Sequence, residues 1–128
     1  MAFVDLYPEK YLLLTTFRKS GVGVPTAVWA ARDGDALVVT TVASAGKVKR
    51  IRNNSEVTLQ PCTVSGRVKR HAAPVTGRAE IVEDPVAFEA GNAIIAKKYG
   101  WMFRMAFFAQ YGRGGDKSSR VILRLTAA

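Results

Sequence analysis

One cysteine and one histidine stand among 128 residues, and each scarcity rules something out. Cys62 has no second thiol to pair with, so an internal disulfide is excluded and a reduced, cytosolic (cytoplasmic) setting is the expectation. A single Cys and a single His offer no zinc-ligand spacing, and no metal site is expected. His71, in "VKRHAAPV", has no serine, cysteine or ligand partner beside it and reads as a surface or loop residue; Cys62, beside Pro61 in a strand pattern, reads as a buried structural thiol. Carboxylates are also scarce, 10 against 19 lysines and arginines. None forms a pair whose spacing identifies an acid and a base, and Glu83-Asp84 reads as a helix cap. No apolar run is long enough for a bilayer, and "MAFVDLYPEK" lacks the basic segment and apolar stretch of a secretory leader, so no membrane partner is expected. Without a catalytic triad or dyad, an enzyme of this sequence would rely on a bound cofactor for its chemistry.

What remains is an ordinary globular balance, 48% hydrophobic and 23% charged, in a chain long enough for one core and short for two. One domain over residues 1–128 is expected. Residues 11–17 (YLLLTTF) read as a strand followed by a glycine-bearing hairpin turn. Residues 24–32 (VPTAVWAAR) read as a second strand ended by "DGD", and 36–42 (ALVVTTV) as a third. Residues 56–64 make a fourth, with Pro61 marking a bulge or an edge; 75–82 a fifth; 120–125 a sixth. Asp84 caps a long helix that starts at Pro85, carries Val86, Phe88, Ala90, Ile94 and Ile95 as its apolar stripe, and ends at Gly100 after Lys97 and Lys98. Residues 101–111 read as a second, core-forming helical stretch and 112–119 as a loop. The fold class is mainly β: six short strands in a small antiparallel barrel, with one short helix and one longer helix in the second half.

The net charge of +9 is concentrated in the middle, where residues 44–78 hold eight cations against Glu56 alone. Such a field draws polyanions of any kind. Within it, "SAGKVKRIRNN" changes period: Ala45, Val48 and Ile51 recur every three residues on one side of a short helix, with Ser44 at the N-cap position and the cations outward. A helix start offers unpaired N–H groups and partial positive charge. Ser44 and Gly46 would let a phosphate approach, Lys47 and Arg50 would pair with it, and Thr40 and Thr41 would add hydroxyls from the preceding strand. The competing reading is a capped, solvated surface helix. "GVGVPT" is no dinucleotide loop, because Thr26 stands where the third glycine belongs and a β-branched, proline-containing segment follows. Arg67, Lys69 and Arg70 could track a phosphodiester or an acidic tail; the distance in sequence between these cations and the aromatic cluster at 101–111 argues against a nucleic acid.

In order, "KYLLLTTFRKSG", "VPTAVW", "ALVVTT", "SAGKVKRIRNN", "VTLQPC", "GRAEIVED", "KKYGW" and "RVILRL" span nearly the whole chain. Together they resemble the split β-barrel oxidoreductases related to pyridoxamine phosphate oxidase, and within them the short PPOX-class F420-dependent enzymes. The resemblance implies a six-stranded split barrel, a homodimer, a small-molecule substrate, and a flavin or deazaflavin in a groove between subunits. By position it implies Pro25, Thr26 and Val28 against the ring, Thr40 and Thr41 near the ribityl chain, and Ser44, Gly46, Lys47, Lys49 and Arg50 around the phosphate, Lys49 lying off that face. Ala27 replaces the family's proline, and "GVG" its aspartate-glycine turn. Coenzyme F420, whose oligoglutamate tail Arg52, Arg67, Lys69 or Arg70 could match, is favoured over flavin mononucleotide (FMN). The expected reaction is hydride transfer from reduced F420 to an electron-poor acceptor, with no protein acid assigned beyond Tyr99 or solvent. An FMN enzyme, a non-catalytic F420 carrier and a nucleic-acid module are the alternatives.

Overall fold

A computed structural model describes residues 2–103, 105 and 120–128. Seven strands, β1 Leu12–Phe17, β2 Gly23–Val28, β3 Ala31–Asp33, β4 Ala36–Val42, β5 Glu56–Pro61, β6 Val75–Val82 and β7 Arg120–Ala127, form one sheet in the order β2-β1-β5-β6-β7-β4-β3. Every pairing in it is antiparallel. The count is seven instead of six because the strand expected over 24–32 divides. β2 pairs with β1 at one end of the order, β3 with β4 at the other, and Trp29 and Ala30 cross between them.

That crossing dictates the shape. Three Cα steps from Val28 to Ala31 reach at most about 11 Å, whereas six inter-strand spacings laid flat would separate the outer strands by roughly 29 Å. The sheet therefore curls until its edges nearly meet, giving a mainly β split barrel. β1 shows the alternation this requires, with Leu12, Leu14 and Thr16 buried and their neighbours half-buried. The inward side chains of β4, β5 and β7, among them Leu37, Val39, Val57, Leu59, Leu123 and Leu125, meet there in one core.

Two helices complete the packing. α1, Gly46–Asn53, plugs the barrel with Val48 and Ile51, as their three-residue spacing predicts. Its N-cap is Ala45 and not Ser44, and no side chain caps it; Ser44 lies one residue outside and is exposed. α2, Pro85–Tyr99, is capped as expected, Asp84 Oδ2 accepting from Ala87 N–H at 2.9 Å. It packs Ile95 and Tyr99 on Ala31, Val38 and Ile122, on the outside of the sheet. Hence Ala36 to Val39 of β4 are all buried, covered by the core on one face and α2 on the other. Gly100 ends the helix at φ +58°, in the region glycine favours.

The fourth strand stops at Pro61. Cys62 instead makes an isolated bridge with Val68, and Thr63 N–H donates to Arg67 O across a turn. A 3₁₀ turn at Phe3–Leu6, for which the sequence carries no strong signal, buries Phe3 and Leu6 in the barrel core. Residues 101–103 and 105 are helical; the rest of the stretch expected over 101–111, and the loop at 112–119, lie outside the described residues.

Candidate cofactor site

The crossing, the end of β4, the first turn of α1 and the start of β7 converge on a cleft of about 440 Å³, within the roughly 300–1,000 Å³ of small-molecule sites. Its wall is largely apolar: Ala27, Val28 and Trp29 from the crossing, Val42, and Val64 and Phe103 beyond it, with Tyr11. The polar lining is Thr40, Thr41, Lys47 and Arg120, and no carboxylate is among the described lining residues. Of the ten site residues read from the sequence, Val28, Thr40, Thr41 and Lys47 meet in this cleft.

Gly46 and Arg50 belong to the same corner. Arg50 Nε donates to the buried Thr16 Oγ1 at 2.6 Å, which fixes the base of the guanidinium. Its Nη1 lies 2.8 Å from the point where a Gly46 Cβ would stand, so the missing side chain is what lets the charge lie over the helix start. Lys47 is half-buried and its amine is held below the ordinary lysine value, by burial first, then by Arg50 and Arg120. Arg120 Nε reaches Thr40 Oγ1 at 3.3 Å, and burial lowers this guanidinium too. Two guanidiniums that disfavour the Lys47 ammonium, gathered beside a helix start, suit an anion with more than one negative charge.

The other expected residues stand elsewhere. Pro25 and Thr26 are not among the lining residues: at about 3.3 Å per residue along β2, Pro25 is roughly 10 Å before Val28. Ser44 and Lys49 are exposed and outside the lining, and the Lys49 carbonyl accepts from Asn53. Of the cations offered to an acidic tail, Arg52 pairs with Glu83 at 2.6 Å, and Lys69 and Arg70 pair with Glu9 at 3.5 and 3.3 Å; Arg67 is exposed. Tyr99 is corrected as a proton donor. It does not line the cleft, its hydroxyl is hydrogen-bonded to backbone, and burial pushes it up to about 12.

Arg120, Trp29, Tyr11, Val42 and Val64 were missed. Arg120 opens an apolar strand more than seventy residues from Lys47, and nothing local marks it. His71 is exposed at φ +49°, and Cys62 is fully buried, its thiol pushed up by that burial and only partly relieved by Lys69. Among the described residues no group of three or more His, Cys, Asp or Glu is placed for a metal, and no helix is long and apolar enough to cross a membrane.

A flat ring carrying a phosphoryl group fits this donor set: apolar and aromatic side chains along the wall, hydroxyls between, and clustered cations at one end. The curled antiparallel sheet defines a class, the split β-barrels. The chain belongs to the pyridoxamine 5'-phosphate oxidase family, whose model matches residues 2–128. Its structure is similar to that of an F420 reductase (23% identity, TM-score 0.65, covering 97% of this chain and 91% of that one). It is also similar to the heme storage protein of Vibrio cholerae (14%, 0.69, 98% and 87%) and to an FAD-binding protein of Mesorhizobium loti (15%, 0.62, 98% and 86%). At these identities the likeness establishes the fold. No curated protein matches the chain in sequence.

Proposed function

We propose that this protein is a homodimeric oxidoreductase that binds coenzyme F420 in the cleft and passes a hydride to a small organic acceptor. One observation carries the reading: Lys47, half-buried and charge-disfavoured beside Arg50 and Arg120, stands at the end of an apolar cleft. A surface helix that only needed solubility would keep its lysine in water.

When bound, reduced F420 supplies the hydride. The chain's own residues do the rest. Lys47, Arg50 and the first amides of α1 hold the phosphoryl group; Thr40 and Thr41 offer hydroxyls to the polyol. Ala27, Val28 and Trp29 flank the ring, orient it and keep water from it. No protein acid is assigned, and solvent supplies the proton. Support for F420 over FMN comes from Arg67 and from the pair Arg52–Glu83, whose side chains are 53% and 59% exposed. Exposed pairs contribute only about 0–1 kcal/mol, so a glutamate tail can displace Glu83 at little cost.

Two features support a second copy at the cleft. Val64 lines it while 69% exposed, and Trp101 and Met105, flanking the lining residue Phe103, are 72% and 63% exposed. Fluorescence titration of the purified protein with F420 and with FMN, then oxidation of reduced F420 against a panel of acceptors, tests the proposal. Saturable F420 binding with turnover supports it; F420 binding without any turnover indicates a carrier; FMN binding alone indicates the flavin enzyme; binding of neither sinks it.

A further inference from the structure

We infer that Tyr99 is a positioning residue for the cleft: through Trp29, stacked on its ring, it fixes the wall against which a flat conjugated ligand lies. The inference rests on the functional reading for the ligand's identity, and on geometry alone for the wall.

The need for a support arises at the crossing. Trp29 and Ala30 belong to neither β2 nor β3, so the sheet offers their backbone groups no ladder partners. Ala30 is fully buried, and an orphaned N–H or C=O there would be costly. The last turn of α2 supplies what the sheet does not. Tyr99 Oη accepts from Ala30 N–H at 3.0 Å and has the Lys10 and Ala30 carbonyls at 2.7 and 3.0 Å to receive its own proton. Lys98 Nζ donates to the carbonyls of Ala30, Glu9 and Tyr7 at 2.6, 2.7 and 3.1 Å. One helix end thus ties down the crossing and the N-terminal segment together.

The side chains extend this hold into the cleft. The Trp29 and Tyr99 rings stack with centroids 4.5 Å apart and planes 8° from parallel. Trp29 lines the cleft and Tyr99 does not, so whatever Tyr99 does for a ligand it does through the indole. An indole already held in one orientation spares the ligand the cost of ordering it, and a flat π-face selects a flat partner. The ligand class this wall recognises is a planar heteroaromatic ring, with its anionic group reaching the Lys47 corner.

The chain has two tryptophans. Replacing the exposed Trp101 (Trp101→Phe) keeps an aromatic side chain there and leaves Trp29 as the sole tryptophan, excited selectively at the red edge of its absorption, where tyrosine does not absorb; all variants are made in that background. Acrylamide quenching and emission maximum report how Trp29 is held without any ligand; titration with F420 and with FMN reports the wall's use. Tyr99→Leu, which removes the stack, is expected to raise the quenching constant, shift emission to the red, and weaken binding of the cofactor about two- to twelvefold, the range of a lost aromatic pair. Tyr99→Phe, which keeps the ring and loses the hydroxyl, is expected to lower the melting temperature while restoring Trp29 shielding and cofactor affinity toward the parent. A folded Tyr99→Leu protein with parental quenching and parental affinity would overturn the inference, since a purely structural role moves only the melting temperature. If Tyr99→Leu does not fold, Trp29→Leu takes its place, and unchanged affinity there is equally fatal. If neither F420 nor FMN binds the parent, the functional reading fails, and the ligand-free quenching series alone decides whether Tyr99 positions Trp29.

Discussion

Lys47 illustrates a conflict between stability and binding at a single residue. Its depressed amine means that the folded, ligand-free protein binds this proton less well than the unfolded chain, whose lysine keeps the ordinary value of 10.5. Stability therefore rises with pH between the lowered value and 10.5, and at neutral pH the charge is a net cost to the fold. Lys47→Met, which keeps the stem and drops the charge, should leave the melting temperature of the ligand-free protein unchanged or raised. Cofactor affinity, measured by titration, should fall about tenfold or more, the effect of a lost charge-assisted bond. Lost stability with retained affinity would assign Lys47 to structure. Gly46→Ala probes the neighbouring charge: the new Cβ would stand 2.8 Å from Arg50 Nη1, the movable end of a long side chain, so the guanidinium yields and not the helix. Stability should stay within about 0.5 kcal/mol, while the titrated affinity drops. The sequence made these residues legible because Gly46, Lys47 and Arg50 sit on one helical turn. Arg120 and Trp29 stayed hidden because they reach the cleft only through barrel closure, a consequence of long-range pairing.

At the scale of elements, the legible features were those with a local cause. β6 carries the expected bounds, and α2 has the Asp84 cap, the Pro85 start and the Gly100 stop that its composition dictates. The division of the strand expected over 24–32 has no such cause: β-branched and apolar residues run through it, and only the demand that one chain serve both ends of a curled sheet breaks it at Trp29. Ser44 looked like a cap because of its residue type, yet the chain turns into α1 one residue later, at Ala45. Gly91 shows how closely α2 must sit. A Cβ there would lie 3.0 and 3.1 Å from Ile122 Cδ1 and Cγ1, and Ile122, 2% exposed, would have to give way by a few tenths of an ångström toward the pocket of about 150 Å³ that it lines with Gly91. Gly91→Ala should therefore cost about 1–3 kcal/mol in thermal or chemical unfolding, outweighing alanine's helix preference of roughly 1 kcal/mol. A stabilised variant would show that the Ile122 side chain yields into that pocket at little cost.

For the whole molecule, two charges on the global balance can be read by experiment. Burial raises Tyr99 from 10.0 to about 12. The folded state keeps this proton after the unfolded chain has lost it, so its stabilisation is complete below pH 10 and drains away between pH 10 and 12, by about 2–3 kcal/mol. Tyr99→Phe should flatten that part of the alkaline unfolding curve. The second charge is the net +9 on each 13.9 kDa chain. Two such chains repel, whereas the exposed Val64, Trp101 and Met105 near the cleft favour association through apolar burial. Salt screens the repulsion and leaves the apolar term intact, so added salt should tighten the proposed dimer; a contact built from ion pairs would loosen. Light scattering at a series of salt concentrations should show mass approaching twice that of the chain as salt rises. A protein that stays at the mass of one chain throughout would mean that one copy's residues suffice to build the cleft, and Val64 would then have to be a solvent-facing rim and not part of a closed wall.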